Sequence, residues 1–243
     1  MEEHGPCSQD ELAVKFDVSV QTIRRDFAVL NKNKLINVKN GVAYINNTNP
    51  QSNIDFSKRQ TKFSAEKEAI ARSIASDIPD GSTIFLTVGT TIEQVAAALH
   101  NKKNLTVITS SIRVANILYA FDSINVMIPK GKIRKSNGGI VGSSVVEDIS
   151  QFHVDYTITS VGAITEDGIL LEYNIDEVAI ARTMIGQSRE LIVAIDNSKL
   201  TSKAPVLLCK PSFINIIYCD KYPSAKLQKI LDDNEVKFKK VEV

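Results

Sequence analysis

Residues 83–199 alternate between short β-prone runs and helix-like segments, and this alternation limits the possible fold more than any other feature of the chain. The β-prone runs are residues 83–88, 105–109, 124–128, 156–159 and 191–195. Strands that alternate with helices pair in parallel, because each helix carries the chain back to the start of the next strand. The sequence therefore predicts an α/β domain with a largely parallel, Rossmann-like sheet.

A polar loop follows each of these runs. In open parallel sheets, ligands bind beyond the carboxyl ends of the strands, where such loops gather. The first loop, Gly89-Thr90-Thr91, leads into a helix with one apolar face. Glycine allows close backbone approach, and a helix N-terminus offers free N–H groups and the positive end of a dipole. The loop predicts a site for an anion such as phosphate, although threonine also caps many ordinary helices.

Two further features of the loops bear on such a site. Thr90 with Glu93, and Thr91 with Gln94, have the spacing of a capping box. A later loop is basic, with no acid among its charged residues, which are Lys130, Lys132, Arg134 and Lys135. A charge run of this kind is usually a solvated surface, but at a strand end it can neutralise a phosphate.

The N-terminal residues carry the signals of two consecutive helices. Ser8 and Glu11 have capping-box spacing, which predicts a helix from about Ser8 to residues 17–19. Ser19 can cap a second helix, in which apolar residues recur at helical spacing. These apolar residues are Ile23, Phe27 and Leu30. The pattern therefore predicts a helix, a tight turn and another helix.

The second helix has a polar face that suits the major groove of DNA. Gln21 and Arg25 point away from the apolar stripe, with Arg24 at its side, because successive helical residues turn by about 100°. Glutamine can pair with adenine, and arginine with guanine or with phosphate. An ordinary solvated helix face is the alternative interpretation of the two arginines. The capping box, the turn and the hairpin that follows favour DNA binding.

An Asn40-Gly41 pair lies between two β-prone runs, residues 35–38 and 42–45. This is the strongest short-range signal for a β-hairpin, because both central turn residues need positive φ. The predicted hairpin is a wing beside the two helices, with Lys39 near its tip.

Composition limits the classes of protein that the chain can represent. A chain of 243 residues, 43% of them hydrophobic, can form a small module and one large domain with a proper core. The net charge of +1 excludes a protein that coats nucleic acid non-specifically, so DNA contacts must come from local patches. Specific binding would need two reading heads on one operator. We therefore expect a homo-oligomer, either a dimer or a tetramer.

Cysteines, histidines and hydropathy indicate the setting in which the protein works. Cys7, Cys209 and Cys219 have unrelated spacings, which predicts reduced thiols, and the latter two lie in apolar runs typical of a core. The three histidines have no metal-ligand pattern around them, so we expect no metal site. No run approaches the roughly 20 apolar residues that span a membrane. We expect a cytoplasmic protein with no membrane partner.

Residues 18–26, with the sequence VSVQTIRRD, resemble the winged helix-turn-helix signature of the DeoR family of bacterial transcription regulators. The resemblance implies contacts to double-stranded operator DNA from Ser19, Gln21, Thr22, Arg24, Arg25 and Lys39. The family has a full helix before the capping box, whereas Gly5-Pro6 would break a helix here. We expect a winged helix-turn-helix that lacks its first helix, through a truncated start or in a module that binds DNA weakly.

The loops of the second domain resemble the DeoR-type sensor domain, which is similar in fold to ribose-phosphate isomerase and glucosamine-phosphate deaminase. In the family this domain senses a phosphorylated sugar, so the implied effector is a sugar phosphate and no cofactor is expected. The resemblance implies that Thr90 and Thr91 hold the phosphate. The full set of implied ligand-binding residues is Gly89, Thr90, Thr91, Thr109, Ser111, Gly131, Lys132, Arg134, Gly162, Asp167, Glu177 and Lys199. Thr87 stands where the family often has aspartate, which makes the expected pocket less negative.

The predicted organisation has three parts: a DNA-binding domain over residues 1–46, a polar linker over 47–62 and an effector domain over 63–243. The resemblance implies a repressor of sugar metabolism genes whose operator affinity is controlled by a phosphorylated sugar.

Two other functions stay open from the sequence. A sugar-phosphate isomerase would need a carboxylate as general base, and Asp167, Asp176 and Glu177 are candidates, although each is more simply a loop or helix-start acid. Likeness of fold to isomerases is only analogy, so we predict no catalytic residues. The other alternative is an oligomer that senses a sugar phosphate but has a defective DNA-binding head.

Overall fold

The computed structural model of the protein describes residues 7–32, 36–39, 41–45, 56 and 59–243. The chain divides into two compact units, Met1–Pro50 and Gln51–Val243. Most of the predicted linker, residues 47–62, lies outside the described residues, so the predicted domain boundaries stay predictions.

Two helices, α1 (Gln9–Phe16) and α2 (Val20–Lys32), form the body of the N-terminal unit. The Ser8 hydroxyl accepts a bond from the Glu11 N–H at 3.1 Å, and the Glu11 carboxylate accepts one from the Ser8 N–H at 2.8 Å. These two bonds complete the predicted capping box. Asp17 ends α1 in the left-handed conformation, with φ 52°, which aspartate tolerates better than most residues. The helix-turn-helix prediction is confirmed.

A small sheet packs against these helices, with the strand order β1-β3-β2. Its strands are β1 (Cys7–Ser8), β2 (Ile36–Lys39) and β3 (Val42–Ile45). Lys39 pairs with Val42 across the turn, and Gly41 has the positive φ, 75°, that the hairpin requires. The predicted wing is therefore confirmed. The expected absence of a first helix concerns residues 1–6, which lie outside the described residues.

Five apolar residues form the buried core of this unit. They are Ala13, Ile23, Phe27, Ile36 and Ala43. Ile23 and Phe27 come from the predicted apolar stripe of α2, and the third stripe residue, Leu30, packs at the edge of the cluster. One face of α2 is buried in this way, and its other face stays exposed.

The second unit consists of twelve strands and six helices within the described residues. The strands are β4 (Thr83–Leu86), β5 (Leu105–Thr109), β6 (Ile124–Met127), β7 (Lys132–Ile133), β8 (Ile140–Val141), β9 (Val154–Thr159), β10 (Ala163–Ile164), β11 (Leu170–Glu172), β12 (Ser188–Ala194), β13 (Val206–Cys209), β14 (Ile216–Cys219) and β15 (Lys237–Lys240). The helices are α3 (Ser64–Asp77), α4 (Thr90–Ala98), α5 (Ile112–Leu118), α6 (Ser143–Ile149), α7 (Ile175–Gly186) and α8 (Ala225–Asp233).

Seven of these strands form a parallel sheet in the order β15-β14-β12-β9-β4-β5-β6. The chain adds β5 and β6 on one side of β4, and then adds β9, β12, β14 and β15 on the other side. The direction therefore reverses between β4 and β9. Such a reversal opens a crevice at the carboxyl ends of the two strands, where doubly wound proteins bind ligands.

Helices cover both faces of the sheet. Ile84 and Leu86 of β4 are fully buried in a cluster with α3, α4 and α5, whereas Phe85 between them is buried with residues of α6 and α7. Successive side chains of a strand point to opposite faces, so a strand buried on both sides is apolar throughout. The predicted α/β fold with a parallel sheet is confirmed.

Two of the three cysteines are core residues. Cys209 and Cys219 are buried, and burial raises the pKa of each thiol to about 12. Their predicted role as small apolar residues is therefore confirmed.

Candidate functional site

The exposed face of α2 carries the side chains that the sequence predicted as DNA contacts. Gln21, Arg24 and Arg25 are exposed, while Ile23 and Phe27 on the same helix are buried. Arg24 Nε lies 3.5 Å from Gln9 Oε1, which is at the limit of a hydrogen bond. One helix face thus presents an amide and two guanidinium groups, the side chains that recognise adenine, guanine and phosphate.

Two further predicted contacts, Ser19 and Thr22, cap the same helix. The Thr22 N–H donates to Ser19 Oγ at 3.1 Å, and the two hydroxyl oxygens lie 2.9 Å apart. The cap fixes the first turn of α2, which is the end that enters the groove in helix-turn-helix proteins. Lys39 is the last residue of β2, but its side chain lies outside the described residues, so its DNA contact stays a prediction.

A small cavity of about 30 Å³, lined by both polar and apolar side chains, lies at the reversal between β4 and β9. Thr87 and Val88 follow β4, and Thr159 and Ser160 end β9 on the other side of the crevice. The hydroxyls of Thr87 and Thr159 lie 2.9 Å apart. The remaining lining residues are Ser110, Ile140, Glu172, Glu177, Ile180, Ala181 and Leu208. The cavity stands where the topology predicts a ligand site.

The α4 N-terminus lies next to this crevice. Gly89 is its N-cap, with φ 156°, and a Cβ on Gly89 would stand 3.6 Å from Ser160 Cβ. No side chain caps α4, so the two predicted capping boxes are wrong. The Glu93 carboxylate instead accepts a hydrogen bond at 2.9 Å from Nε2 of Gln60, which lies in the segment before α3. Without a side-chain cap, the first N–H groups of α4 can meet an anion.

Thr109 and Ser111 hold the next loop in place. The Thr109 hydroxyl is buried, donates to the Leu86 carbonyl at 2.7 Å and accepts from the Ser111 N–H at 3.1 Å. The Ser111 hydroxyl caps α5 by accepting from the Val114 N–H at 3.3 Å. Both residues are therefore structural in this conformation, and Ser110 between them lines the cavity.

Arg134 and Glu177 bind each other. Arg134 Nη1 donates to Glu177 Oε1 at 3.0 Å, and the same oxygen accepts from Asn137 Nδ2 at 2.8 Å. Glu177 lines the cavity and also opens α7, where Asn174 is the N-cap. The supposed acid-free basic loop thus has acid partners from other elements, since Lys130 also pairs with Asp148 at 3.3 Å. Arg134 positions Glu177 at the cavity wall.

Glu172 is the carboxyl group with the most altered titration in this region. Its pKa is raised to about 7, mainly by burial and also by the negative charge of Glu177, while the Tyr173 N–H and the cations Lys199 and Arg59 oppose the shift. Glu172 lines the cavity at the end of β11. A carboxyl group with a pKa near neutral pH marks candidate functional sites.

Lys199 is a predicted ligand-binding residue whose charge acts on Glu172. Burial lowers the pKa of Lys199, Asp196 opposes this shift, and the charge of Arg59 lowers the pKa further. Lys199 belongs to the helical turn after β12, which Asp196 caps by accepting from the Ser198 N–H at 3.1 Å. Lys199 does not line the cavity, but its charge acts on Glu172, which does.

Four predicted residues receive no support as ligand contacts. Asp167 pairs with Lys226 at 3.1 Å in the turn between β10 and β11, at the end of the hairpin opposite Glu172. Lys132 is exposed on β7. Gly131 and Gly162 are explained by packing, because an added Cβ would come within 2.7 Å of Ile140 Cγ2 and 2.8 Å of Tyr173 Cε2, respectively. None of these four residues lines the cavity.

Three charged residues near the cavity are missing from the sequence-predicted set: Arg59, Lys67 and Glu172. The sequence pattern could have indicated Lys67, because it shares the apolar stripe of α3 with Ile70 and Ile74. A charged residue in such a stripe needs a partner. The indication for Glu172 as a site residue was weaker, because this residue only ends an apolar run. Among the described residues, no group of three or more potential ligands is arranged to hold a metal ion.

The fold and these sites define a class of protein: a winged helix-turn-helix regulator with an α/β second domain. The DeoR-like helix-turn-helix domain model matches residues 1–48, and the DeoR C terminal sensor domain model matches residues 62–221. The chain belongs to the DeoR family of transcription regulators, as its motifs predicted.

Curated relatives match over nearly the whole chain. The HTH-type transcriptional repressor CsqR of Escherichia coli is 40% identical over 96% of this chain and 89% of its own length. The glycerol-3-phosphate regulon repressor of the same organism is 36% identical, with coverages of 97% and 93%. The repressor GlcR of Bacillus subtilis is 32% identical, with coverages of 97% and 90%.

Solved structures match the second domain more weakly. Ribose 5-phosphate isomerase from Plasmodium falciparum has a TM-score of 0.41 and 18% identity, covering 55% of this chain and 51% of that chain. The β subunit of eIF2B from Chaetomium thermophilum has a TM-score of 0.49 and 16% identity, covering 74% and 57%. In the described part of the chain, no helix has the length and hydropathy to cross a membrane.

Proposed function

We propose that this regulator is a repressor of carbohydrate-related genes whose operator affinity is controlled by a phosphorylated sugar. The observation that carries the proposal is the capped helix α2, with Gln21, Arg24 and Arg25 exposed on one face. The relatives are named repressors, one of them of a glycerol-3-phosphate regulon, which supports repression and a phosphorylated effector. We expect the protein to act in the cytoplasm as a homo-oligomer, with one reading head on each half-site.

The second domain supports the effector part of this proposal. Gly89, the uncapped start of α4 and Lys199 together offer backbone N–H groups and a positive charge to a phosphate. The cavity beside them, about 30 Å³, holds no more than one or two waters. A sugar phosphate must therefore lie across its mouth or displace lining side chains. Such a displacement gives the ligand a way to favour one conformation of the protein over another.

The test of DNA recognition is a binding assay on the DNA upstream of the gene for this protein, at several stated salt concentrations. Arg25→Ala should weaken operator binding by about 10- to 100-fold, because a guanidinium pairing with a base contributes roughly 1–3 kcal/mol. Arg72→Ala, which removes an exposed arginine of α3 that pairs with Glu68, is the matched control and should change nothing. Equal losses for operator and random DNA would mean that Arg25 contacts only phosphates.

The effector is tested by adding inorganic phosphate, glycerol 3-phosphate or glucose 6-phosphate to the same assay. We expect at least one sugar phosphate to change operator affinity and to raise the melting temperature. A ligand-dependent rise in melting temperature with no operator binding at any salt would instead favour the sensor with a defective head.

Glu172 gives a specific reason to test a second function, sugar-phosphate isomerisation. Its pKa of about 7 and its place in the cavity suit a general base, unlike Asp167 in its surface ion pair. We expect binding without turnover, since the family consists of transcription regulators. Detection by NMR of ketose formed from an aldose phosphate, lost in Glu172→Gln, would reverse this ranking.

A further inference from the structure

Arg59 has a buried hydrogen-bond donor that no acceptor satisfies. Its Nε atom is the buried side-chain nitrogen or oxygen without a hydrogen-bond partner in the described part of the chain. Removing a guanidinium N–H from water without giving it an acceptor is costly, and native structures rarely tolerate it. An unsatisfied charged donor of this kind indicates an acceptor that binds later.

The charge of Arg59 acts on the groups at the cavity. It lowers the pKa of Glu172, which lines the cavity, and those of its neighbour Tyr173 and of Lys199. Arg59 and Lys199 thus bring two positive charges to the same end of the sheet. An anion between them would accept hydrogen bonds from both and relieve their mutual repulsion.

Two cations of the second unit contact the chain around Arg59: Lys67 of α3 and Arg113 of α5. Lys67, only 4% exposed, donates through Nζ to the carbonyl oxygens of Arg59 and, at 2.7 Å, of Lys62. The Phe56 ring is buried, with the Arg59 guanidinium at 5.5 Å and the Arg113 guanidinium at 4.7 Å from its centroid. A change in the position of Arg59 is therefore passed directly to its neighbours in the chain.

Residues 56–62 also form the end of the predicted linker from the DNA-binding domain. Gln60 in this segment donates to Glu93 in the first turn of α4, at 2.9 Å. The segment therefore contacts the helix whose N-terminus is proposed to hold the phosphate, and it continues toward the N-terminal unit along the chain. Few other segments of the second unit are both at the site and next to the linker.

We propose that the Arg59 guanidinium donates to the phosphoryl group of the effector and thereby fixes residues 59–63, so that this segment transmits effector binding along the chain to the DNA-binding unit. The inference rests on the proposed effector site. Lys199, by contrast, contributes affinity alone, because it stands on the turn after β12 and is far from the linker in the chain.

The experiment is hydrogen exchange on the full chain with and without inorganic phosphate or glucose 6-phosphate, alongside calorimetric titration. In the wild type, ligand should slow exchange of the amides in residues 59–67. Arg59→Gln should weaken ligand binding by roughly 10- to 100-fold, the range for a hydrogen bond to a charged group. It should also abolish this protection even at saturating ligand. Lys199→Gln should weaken binding but keep full protection at saturation.

Two control variants separate coupling from folding. Arg113→Gln removes the other guanidinium over Phe56 and should leave the ligand-dependent protection intact. Arg59→Lys keeps the charge and should recover part of the lost affinity. Equal protection in Arg59→Gln and wild type at saturation would overturn the proposal, as would binding with no protection of residues 59–67 in the wild type. Failure of any ligand to bind the wild type would instead overturn the proposed effector site as well.

Discussion

At the residue scale, the site depends on pairings between side chains that are remote in sequence. Glu177 is held by Arg134 and Asn137, so its charge is compensated within the protein. Glu172 instead accepts a hydrogen bond from the Tyr173 N–H at 3.0 Å, and burial raises its pKa to about 7. Its charge near neutral pH therefore varies, which makes the affinity for an anion sensitive to pH.

The substitution Glu172→Gln tests this charge through stability. A carboxyl group whose folded-state pKa is raised favours the protonated form, so the folded state loses stability as pH rises from about 4.5 to about 7. Glu172→Gln removes that loss and should raise the melting temperature at pH 8, by roughly 2–4 °C for each kcal/mol recovered, but much less at pH 5. Differential scanning calorimetry at both pH values measures the effect.

The exposed Glu147→Gln is the control for this change and should alter the melting temperature equally little at both pH values. An equal rise at pH 5 and pH 8 for Glu172→Gln would show that packing, not the charge, sets the effect.

At the element scale, the helix starts decide what the two sites can do. α1, α2 and α5 are each capped by a serine hydroxyl, which consumes free N–H groups. α4 begins instead at Gly89 with no side-chain cap. The spacing predicted capping boxes at Thr90 and Thr91, but the Glu93 carboxylate binds Gln60 instead of the start of the helix. The first N–H groups of α4, which starts at the crevice, are therefore free of a side-chain cap and suited to an anion.

The substitution Gly89→Ala tests the α4 start. Its φ of 156° is unfavourable for alanine, so we expect a loss of about 1–3 kcal/mol in the free energy of unfolding. We also expect a loss of phosphate binding, because the backbone at the crevice must shift. Gly81→Ala is the matched control: Gly81 has φ 80° and open space around it, and it lies before β4. That variant should lose similar stability and keep phosphate binding, as chemical denaturation and calorimetric titration can show.

At the scale of the whole molecule, the two units have separate hydrophobic cores. Among the described residues, the N-terminal cluster contains five buried residues, whereas three larger clusters fill the second unit. A unit with so small a core has little stability to lose. DNA binding should therefore be easier to destroy by mutation than ligand binding.

The substitution Phe27→Ala makes this difference measurable. Phe27 is 3% exposed, and truncating a buried phenylalanine costs about 3–5 kcal/mol, enough to unfold a marginal unit. Operator binding should disappear while the rise in melting temperature with a sugar phosphate remains. Val29→Ala on the exposed side of the same helix should preserve both activities. Loss of the ligand response in Phe27→Ala would mean that the units do not fold independently.

The sequence alone determined the helix-turn-helix and wing, five of the seven parallel strands, the α/β class and the family. Those features depend on caps, turns and periodicity within a few residues, as for Ser8 with Glu11 or Asn40 with Gly41. Only the tertiary structure decided which polar side chains meet at the cavity. The charge of Arg59 acts on Glu172, and Asp167 pairs with Lys226, through the order of strands and the burial of side chains. Local patterns do not encode these pairings, because packing between distant segments sets them.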